Sequence, residues 1–407
     1  MDLFDGLRGL TKSQRAAVTA SLLGWSLDAF DFFLLTFVLG DVAKTFQVKI
    51  SQVSVAIMLT LAMRPLGALV FGYLADRFGR RPVLQIDLLL FSAIAFSSAF
   101  APNLTIFLIL RAAFGFAMGG EWGTGAALTL ESIPAKSRGV ISGLLQEGWA
   151  IGALLGALAN LFLPHVGWRG LLMFSAAPAL LILYIRRNVD ESPSWVSGTS
   201  ERKREGVVKP ILANFKLVIY LVILMTAFNF LSHGTQDLFP TFLKSQHHFS
   251  AGEVTLVSVI ASLGAILGGI GFGALSEKWG RRRAILTASL CVLPVLPLVL
   301  YGQVPIALAA AGFLMQLAVQ GAWGVAPVHL NELAPAAVRG LLPGLAYQLG
   351  NLLASQTAPL QAKFAETHGD NYGLAIAGLA TFAALGLAGL AWFGPEAKGK
   401  AFETSAS

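Results

Sequence analysis

The sequence predicts an all-α membrane protein with twelve transmembrane helices in two six-helix pseudo-repeats. Three observations lead to this prediction. Of the 407 residues, 55% are hydrophobic and 13% are charged, whereas soluble domains carry roughly 25% charged residues. Apolar stretches of about 18 residues or more, each long enough to cross a bilayer as a helix, recur along the chain. Several motifs of the first half return in the second half at one constant offset.

Each apolar stretch is taken as one span and numbered in chain order. Spans 1 to 6 are predicted at about 16–39, 51–75, 83–101, 104–131, 139–162 and 168–187, and spans 7 to 12 at about 213–241, 251–276, 284–302, 304–330, 340–362 and 371–394. Residues 188–209 form the longest polar segment and contain the charged run Arg202-Lys-Arg-Glu. We therefore predict an N-terminal half (1–187), a linker (188–209) and a C-terminal half (210–407).

The internal repeat relates three separated stretches. The segment from Gly72 to Arg81 returns as Gly273 to Arg282, and the same offset relates Trp122 to Trp323 and Glu131 to Glu332. Parallel six-helix repeats are typical of transporters that alternate access around a site at the bilayer midplane.

The net charge of +7 indicates membrane topology rather than nucleic-acid binding. Most of the 29 Lys and Arg residues occur in the N-terminal tail, in the linker, in the C-terminal tail and in loops on the same side of the membrane. The opposite loops contain Lys44, Lys49, Arg169, Lys244 and Lys363. The positive-inside rule then predicts a multi-pass protein of the cell (inner) membrane with both termini in the cytoplasm.

Polar side chains occur at membrane depth in predicted span 7. Asn229 lies four residues before His233, and Gln236 and Asp237 follow three and four residues after it, so all four share one helix face. A histidine and a carboxylate in hydrocarbon are costly unless they face water or a partner. This pattern favours a proton and substrate site. The alternative is a polar seam that joins two helices.

Two arginines and two aspartates lie within spans 1, 2 and 4. A guanidinium keeps its proton, so Arg64 and Arg111 each need a carboxylate partner or an anionic substrate. Asp31 and Arg111 lie at similar depth and are predicted to pair, for proton coupling or only for structure. Arg64 either binds a substrate carboxylate through two hydrogen bonds or pairs with Asp28.

A charged cluster is predicted at the cytoplasmic surface of both halves. Its members are Gly72, Asp76, Arg77, Arg80 and Arg81, with Glu277 and Arg281 in the repeat. Gly72 allows close helix approach, and Asp76 can accept hydrogen bonds from arginines or from a helix N-terminus. We predict that this cluster holds the halves together and controls their opening.

The remaining polar residues leave alternatives open. Glu121 and Glu147 are either proton relays or are satisfied by glycine-rich backbone, Trp122 and Gln146. Further polar residues form stripes in span 10 (Gln316, Gln320) and span 11 (Gln348, Asn351, Ser355), which interhelical hydrogen bonds of about 0.6 kcal/mol each also explain. His247-His248 is interpreted as a solvated loop rather than a metal site. The phosphate-loop-like run from Gly394 to Lys400 lacks a preceding strand and the final hydroxyl, so no nucleotide cofactor is expected.

The repeated segments from Gly72 to Arg81 and from Gly273 to Arg282 resemble the G-x-L-x-D-R-x-G-R-R signature of the major facilitator superfamily, which thus occurs once in each half. Arg111-Ala-Ala-Phe-Gly115 is similar to its helix-4 motif, Gly119-Gly-Glu-Trp122 to a motif of its organic-anion and sugar symporters, and Glu191-Ser-Pro-Ser-Trp195 to the segment after helix 6. The resemblance covers essentially the whole chain. It implies the twelve-helix fold and secondary transport rather than enzyme activity.

Span 7 shows a narrower resemblance, to the N-x-x-S-H-x-x-Q-D-x-x-x-T signature of the lactate/pyruvate permeases in the sialate:proton symporter family. The matching positions are Asn229, Ser232, His233, Gln236, Asp237 and Thr241, and Gln348 and Asn351 match a helix-11 pair of that group. There, the helix-7 histidine and its neighbours are implicated in binding a monocarboxylate and coupling it to a proton. Phe30-Asp31 resembles sugar relatives in which an aspartate–arginine pair between helices 1 and 4 carries the proton.

Together these features predict a monomeric, cofactor-free symporter of a small monocarboxylate and a proton in the lipid bilayer. The predicted substrate-binding residues are Arg64, Asn229, His233, Gln236, Gln348 and Asn351, and the predicted proton-coupling residues are Asp28, Asp31, Arg111, His233 and Asp237. The alternatives are symport of another organic anion, such as sialate or an aromatic acid, and a transporter-like sensor that binds the acid without moving it.

Overall fold

The computed structural model describes residues 9–48, 50–134, 137–162, 166–176, 178–197, 208–239, 242–339, 341–369, 371–396 and 398–399. Throughout these ranges the regular structure is helical, without a β-strand. Within the described ranges, ten helical segments are long and apolar enough to cross a membrane. Spans 5 and 11, each of which consists of two shorter helices, are not among the ten.

In the N-terminal half, the first four spans are long helices. Span 1 is Lys12–Phe46, span 2 Ile50–Phe78, span 3 Arg80–Ser98 and span 4 Leu104–Ser132. Span 5 consists of Arg138–Gln146 and Gly148–Phe162, and span 6 of Gly167–Met173, the 3₁₀ turn Phe174–Ala176 and Pro178–Asn188.

The C-terminal half follows the same order. Span 7 is Phe215–Gln236, span 8 Ala251–Trp279, span 10 Pro305–Leu333 and span 12 Tyr372–Phe393. Span 9 consists of Arg281–Leu290, the 3₁₀ turn Leu293–Val295 and Leu296–Tyr301, and span 11 of Leu342–Ala354 and Thr357–Thr367. Short helices at Pro193–Ser197 and Val208–Ala213 flank the part of the linker, 198–207, that lies outside the described residues.

Spans 5, 6, 9 and 11 are interrupted rather than continuous helices. In span 9, Pro294 and Pro297 remove backbone donors that an α-helix uses. In span 5 the break falls at Glu147, whose N–H bonds to the Leu144 carbonyl at 3.3 Å, an i to i−3 bond rather than an α-helical one. Such breaks are invisible in a hydropathy profile, because the residues on both sides remain apolar.

Span 7 is also shorter than predicted. It ends at Gln236, so Asp237 is its C-cap residue, with its N–H bonded to the His233 carbonyl at 3.1 Å. A π-helical turn, Phe242–Gln246, follows. Thr241, the last residue of the span 7 signature, lies outside the described residues.

The two halves pack against each other near one side of the membrane. We call the side where span 1 begins and span 12 ends the terminal side, and the opposite side the distal side. The first segment of span 5 packs on spans 8 and 10, and the first segment of span 11 packs on spans 2 and 4. Glycines allow this approach, since a Cβ at Gly344 would lie 3.1 Å from the Cα of Gly123. The interface between the halves is therefore closed on the terminal side.

Candidate functional site

Span 7 and span 11 bring a histidine, a carboxylate and an amide together. His233 Nδ1 lies 3.2 Å from both carboxylate oxygens of Asp237, one turn further along the helix. Its Nε2 lies 3.0 Å from Oδ1 of Asn351 in span 11. Both ring nitrogens thus face acceptors, and both donate when the imidazole is protonated. The predicted neighbours His233 and Asp237 are in contact, and the structure adds Asn351 as the third member.

His233 and Asp237 lie at the distal end of span 7, and their side chains are partly exposed. The side chain of His233 is 25% exposed and that of Asp237 is 36% exposed. The other two polar residues of span 7 make structural contacts: Gln236 donates to Gln316 of span 10 at 2.8 Å, and Asn229 donates to the Met225 carbonyl of its own helix at 2.8 Å. Gln236 therefore joins spans 7 and 10 in this structure, whereas the side chain of His233 is partly accessible.

Arg64 occupies the interface between the halves with part of its guanidinium unsatisfied. The residue is 1% exposed, and within the described part of the chain its Nε and Nη2 atoms have no hydrogen-bond partner. Its guanidinium carbon lies 5.8 Å from the ring centre of Trp25 in the N-terminal half and 5.7 Å from that of Tyr347 in the C-terminal half. The alternative of an Arg64–Asp28 ion pair is wrong for this conformation, because both Asp28 carboxylate oxygens also lack partners among these residues.

Aromatic rings form a layer on the terminal side of the Arg64 site. Tyr347 contacts Trp122 and Trp323, with ring centres 4.8 and 5.4 Å apart, and Trp25 stacks on Trp149 at 5.4 Å. The layer joins both halves and lies between the Arg64 site and the terminal side. Sequence reasoning missed this role, although Trp122 and Trp323 are related by the repeat.

Gln348 follows Tyr347 in span 11 and is fully buried. Neither its amide nitrogen nor its amide oxygen has a hydrogen-bond partner in the regions that the structure describes. A buried amide is normally paired, so Gln348 is a further candidate for a ligand contact, as the sequence predicted.

Asp31 and Arg111 are in contact, which confirms the predicted pairing. Arg111 Nη1 donates to Asp31 Oδ2 at 2.8 Å, and its Nη2 donates to Ser98 Oγ at 2.8 Å. Ser175 Oγ donates to the second carboxylate oxygen of Asp31. The two serines were missed, because no periodic pattern distinguishes them from other serines of apolar helices.

The charged cluster on the terminal side connects the halves. Arg80 Nη2 lies 2.8 Å from Asp76 Oδ1 and 3.2 Å from Glu131 Oε1. The other oxygen of Asp76 accepts the backbone N–H of Leu341 at 3.1 Å, just before span 11 of the opposite half. Arg339, also from that half, lies 3.9 Å from Glu131. Asp76 thus meets both kinds of donor that the sequence predicted, arginine and helix N-terminus.

The repeat reproduces this cluster in the C-terminal half. Arg281 binds Glu332 at 3.0 Å and Glu277 at 3.4 Å. Glu277 accepts the backbone N–H of Gly139, at the start of span 5 of the opposite half, and Arg138 lies 3.8 Å from Glu332. Glu131 and Glu332 were not predicted in this role, although the repeat offset relates them.

Two members of the predicted gating cluster, Arg77 and Arg81, form hydrogen bonds within the N-terminal half and the linker. Arg77 donates to Tyr73 at 2.9 Å and packs over Phe78, so its contacts lie within its own helix rather than between the halves. The Arg81 N–H donates to Glu191 at 3.1 Å. Gly72 is buried one turn before Asp76.

Glu191 and Glu396 cap spans 3 and 9. Glu191 accepts the N–H groups of Arg80 and Arg81, and Glu396 accepts the corresponding groups of Arg281 and Arg282. Burial raises the pKa of Glu191, against the opposing effect of the N–H donors.

Glu121 and Glu147 are not satisfied in the way that one alternative proposed. The Trp122 indole N–H donates to Gln146 Oε1 at 3.2 Å, so these two side chains bind each other. Oε2 of Glu121 and both carboxylate oxygens of Glu147 lack partners among the described residues. His247 packs its ring on Phe242, and the described residues contain no group of three or more His, Cys, Asp or Glu that could hold a metal ion.

Comparison with known proteins identifies the family. The model of the Major Facilitator Superfamily matches residues 22–241 and 223–407, nearly the whole chain. The chain belongs to this superfamily. The chain is similar to a solved structure of the proton:xylose symporter XylE bound to 6-bromo-6-deoxy-D-glucose. The TM-score is 0.78 and the sequence identity 20%, and the match covers 96% of this chain and 98% of the XylE chain. This likeness shows the fold and confirms twelve helices in two halves.

Two of its relatives are named as transporters. The chain is 30% identical over 376 residues to a carboxylic acid transporter protein homolog of Saccharomyces cerevisiae, covering 84% of this chain and 60% of the yeast protein. It therefore spans about three fifths of that relative's length. It is also 26% identical over 371 residues to the sialic acid transporter NanX of Escherichia coli, covering 89% of each protein. These names support a multi-pass membrane transporter rather than an enzyme.

Proposed function

We propose that this protein is a secondary transporter that carries a small monocarboxylate such as lactate or pyruvate together with a proton. The observation that carries the proposal is Arg64. A buried cation with unpaired N–H donors is costly, and the cost falls when an anion binds. A carboxylate matches the planar fork of a guanidinium with two parallel hydrogen bonds.

The neighbouring residues then bind and orient the substrate. Gln348 offers buried amide groups that lack partners in the described regions, and Asn351 connects the site to His233 at 3.0 Å. Asn229 and Gln236 complete the proposed site on span 7. The aromatic layer below Arg64 separates the substrate from the terminal side, while the exposure of His233 and Asp237 leaves access from the distal side.

Coupling follows from charge. A proton on His233–Asp237 or on Asp31 offsets the negative charge that the substrate brings into the membrane interior. Proton binding therefore favours substrate binding, and substrate binding favours proton binding. The loaded halves then rock, the clusters around Arg80 and Arg281 separate, and the site opens to the terminal side.

The names of the relatives support an organic anion, and the signature in span 7 supports a monocarboxylate among the organic anions. Sialate or an aromatic acid is the second candidate, which the likeness to a sialic acid transporter favours. A sensor that binds the acid without moving it is the third.

Counterflow in proteoliposomes distinguishes these candidates. We expect labelled L-lactate to exchange against internal lactate, and pyruvate to compete better than sialic acid or niacin. If sialic acid or niacin competes better than pyruvate, the substrate is another organic acid rather than a small monocarboxylate. Binding of the acids without any counterflow would instead indicate a sensor.

We also propose that the terminal side is cytoplasmic, that the protein lies in the inner membrane, and that it works as a monomer. The distribution of basic residues supports the orientation. A reporter fused near Glu201 should give a cytoplasmic signal, and a periplasmic signal would reverse the topology.

A further inference from the structure

A second group of acids lies deeper in the N-terminal half than the substrate site. Asp28, Asp87 and Glu121, from spans 1, 3 and 4, are at most 1% exposed. Both oxygens of each aspartate and Oε2 of Glu121 lack hydrogen-bond partners in the described ranges of the chain. Ionised carboxylates in hydrocarbon require a partner or a route to water, so this group requires an explanation that packing does not supply.

This group lies closer to the terminal side than the Asp31–Arg111 pair, next to the same face of span 1. Asp31, Asp28, Gly24 and Ser21 follow one another in span 1 at steps of three, four and three residues, so they share one helix face. Each step moves about 5 Å along the helix. Glu121 lies against Gly24, because a Cβ at Gly24 would be 3.4 Å from the Glu121 carboxyl carbon. A larger residue at position 24 would displace the Glu121 carboxyl group.

The charges around Glu121 do not balance if all three acids are ionised. Arg64 of span 2 is close enough for its charge to act on Asp28 and Glu121, although it forms no ion pair with Asp28, and the charges of these two acids act on Asp87 of span 3. From span 11, the neutral phenol of Tyr347 faces Asp28 and Arg64. One cation offsets one carboxylate, so the burial of two further negative charges favours protons on at least two of the three acids.

The other elements near Glu121 do not change this balance. Span 10 contributes the apolar Pro327. In span 5 the titratable residue Glu147 packs against Gly269 of span 8 instead, where a Cβ on Gly269 would lie 3.1 Å from its carboxyl carbon.

A water-sized cavity adjoins Glu121. It has a volume of about 10 Å³ and is lined by Ser21, Trp25, Trp122, Gly125 and Leu145 of the N-terminal half, and by Pro327 of the C-terminal half. The indole N–H of Trp25 has no partner among the described residues, so a single water there would find both a donor and the Glu121 acceptor. Because the cavity lies between the halves, their separation on the terminal side opens it to bulk water.

We propose that Glu121 is the residue from which the transported proton leaves toward the terminal side, with Asp28 as its proton donor and Asp87 as a flanking acid. In the state open to that side, the O–H bond of Glu121 breaks and its proton passes to water in the opened cavity. The proton of Asp28 then forms a new O–H bond on Glu121, and the Asp28 carboxylate that remains faces Arg64. This inference rests on the proposed proton coupling.

The test compares Glu121→Gln with the wild type in proteoliposomes. We expect accumulation of labelled lactate driven by a pH gradient to fall at least about tenfold, while lactate exchange between equal pools stays close to wild type. Glu253→Gln, which makes the same change at an exposed position, is the matched control and should retain both activities. Equal coupling in Glu121→Gln and the wild type would overturn the inference.

Infrared difference spectra between low and high pH supply a readout without substrate. The wild type should show the C=O band of a buried carboxylic acid, and Glu121→Gln should lose part of it. If the wild type moves no acid in response to a pH gradient, the proposed function fails, whereas the infrared band still decides whether Glu121 holds a proton. If Glu121→Gln does not fold, Glu121→Asp decides. Slowed coupling with intact exchange supports the proposal, and unchanged coupling overturns it.

Discussion

Arg64 gives a prediction in which stability and binding change in opposite directions. In the substrate-free protein its guanidinium is 1% exposed and makes no ion pair within the described residues. Burying an unpaired charge costs several kcal/mol. The two aromatic contacts, at 5.8 and 5.7 Å, return about 0.5–2 kcal/mol each. When Asp28, Asp87 and Glu121 are all protonated, Arg64 has no counter-charge. Replacing Arg64 by Met, which keeps most of the side-chain volume, should then leave the free energy of unfolding unchanged or raise it.

The same substitution should abolish tight binding of the acid. Each hydrogen bond to a charged group contributes about 1.5–3 kcal/mol, so a bidentate contact contributes about 3–6 kcal/mol. Since about 1.4 kcal/mol corresponds to a tenfold change in Kd, Arg64→Met should weaken binding by a factor of about 100 or more. Arg64→Lys keeps the charge but loses the planar fork, and its affinity should lie in between.

Arg111 is the matched control, because it is equally buried but has a carboxylate partner at 2.8 Å. Arg111→Met leaves Asp31 as an unpaired buried carboxylate and should destabilise the protein by about 3–5 kcal/mol. The measurements are thermal unfolding in detergent without ligand, and titration with L-lactate, for both variants beside the wild type. If Arg64→Met loses as much stability as Arg111→Met while its lactate affinity stays unchanged, Arg64 is a structural residue and the proposed site is wrong.

Two further predictions concern the pH response and the gate. The unperturbed pKa of imidazole is about 6.5, and a bound proton and a bound anion strengthen each other's binding equally. His233→Ala should therefore remove the dependence of lactate affinity on external pH, measured from about pH 5 to 8. Asn229→Ala should weaken lactate binding but leave its pH dependence in place. A wild-type profile in His233→Ala would leave Asp31 as the proton carrier. Asp76→Asn weakens the contacts to Arg80 and to the Leu341 N–H, each a hydrogen bond worth about 1.5–3 kcal/mol, and should shift the halves toward opening on the terminal side, as measured by distances between spin labels on the two halves. A collapse of lactate affinity with unchanged label distances would contradict this gating role.

The sequence by itself determined the architecture. Membrane spans are encoded by long apolar stretches, and the two halves by a repeat at one offset, both of which are properties of the linear chain. It also identified the Asp31–Arg111 pair, because depth along a helix follows from counting residues. The cluster around Asp76 and its repeat around Glu277 followed from motifs that lie at the ends of spans, where loops limit the positions that side chains can reach.

Only the tertiary structure decided which side chains face one another. The spans are apolar on all sides, so they lack the stripe that tells which face of a soluble helix packs inward. The contact of His233 with Asn351, the position of Arg64 between Trp25 and Tyr347, and the proximity of Glu121 to Gly24 all depend on how each helix is rotated about its axis. That rotation is set by close packing of small residues across helices, which a one-dimensional pattern does not contain.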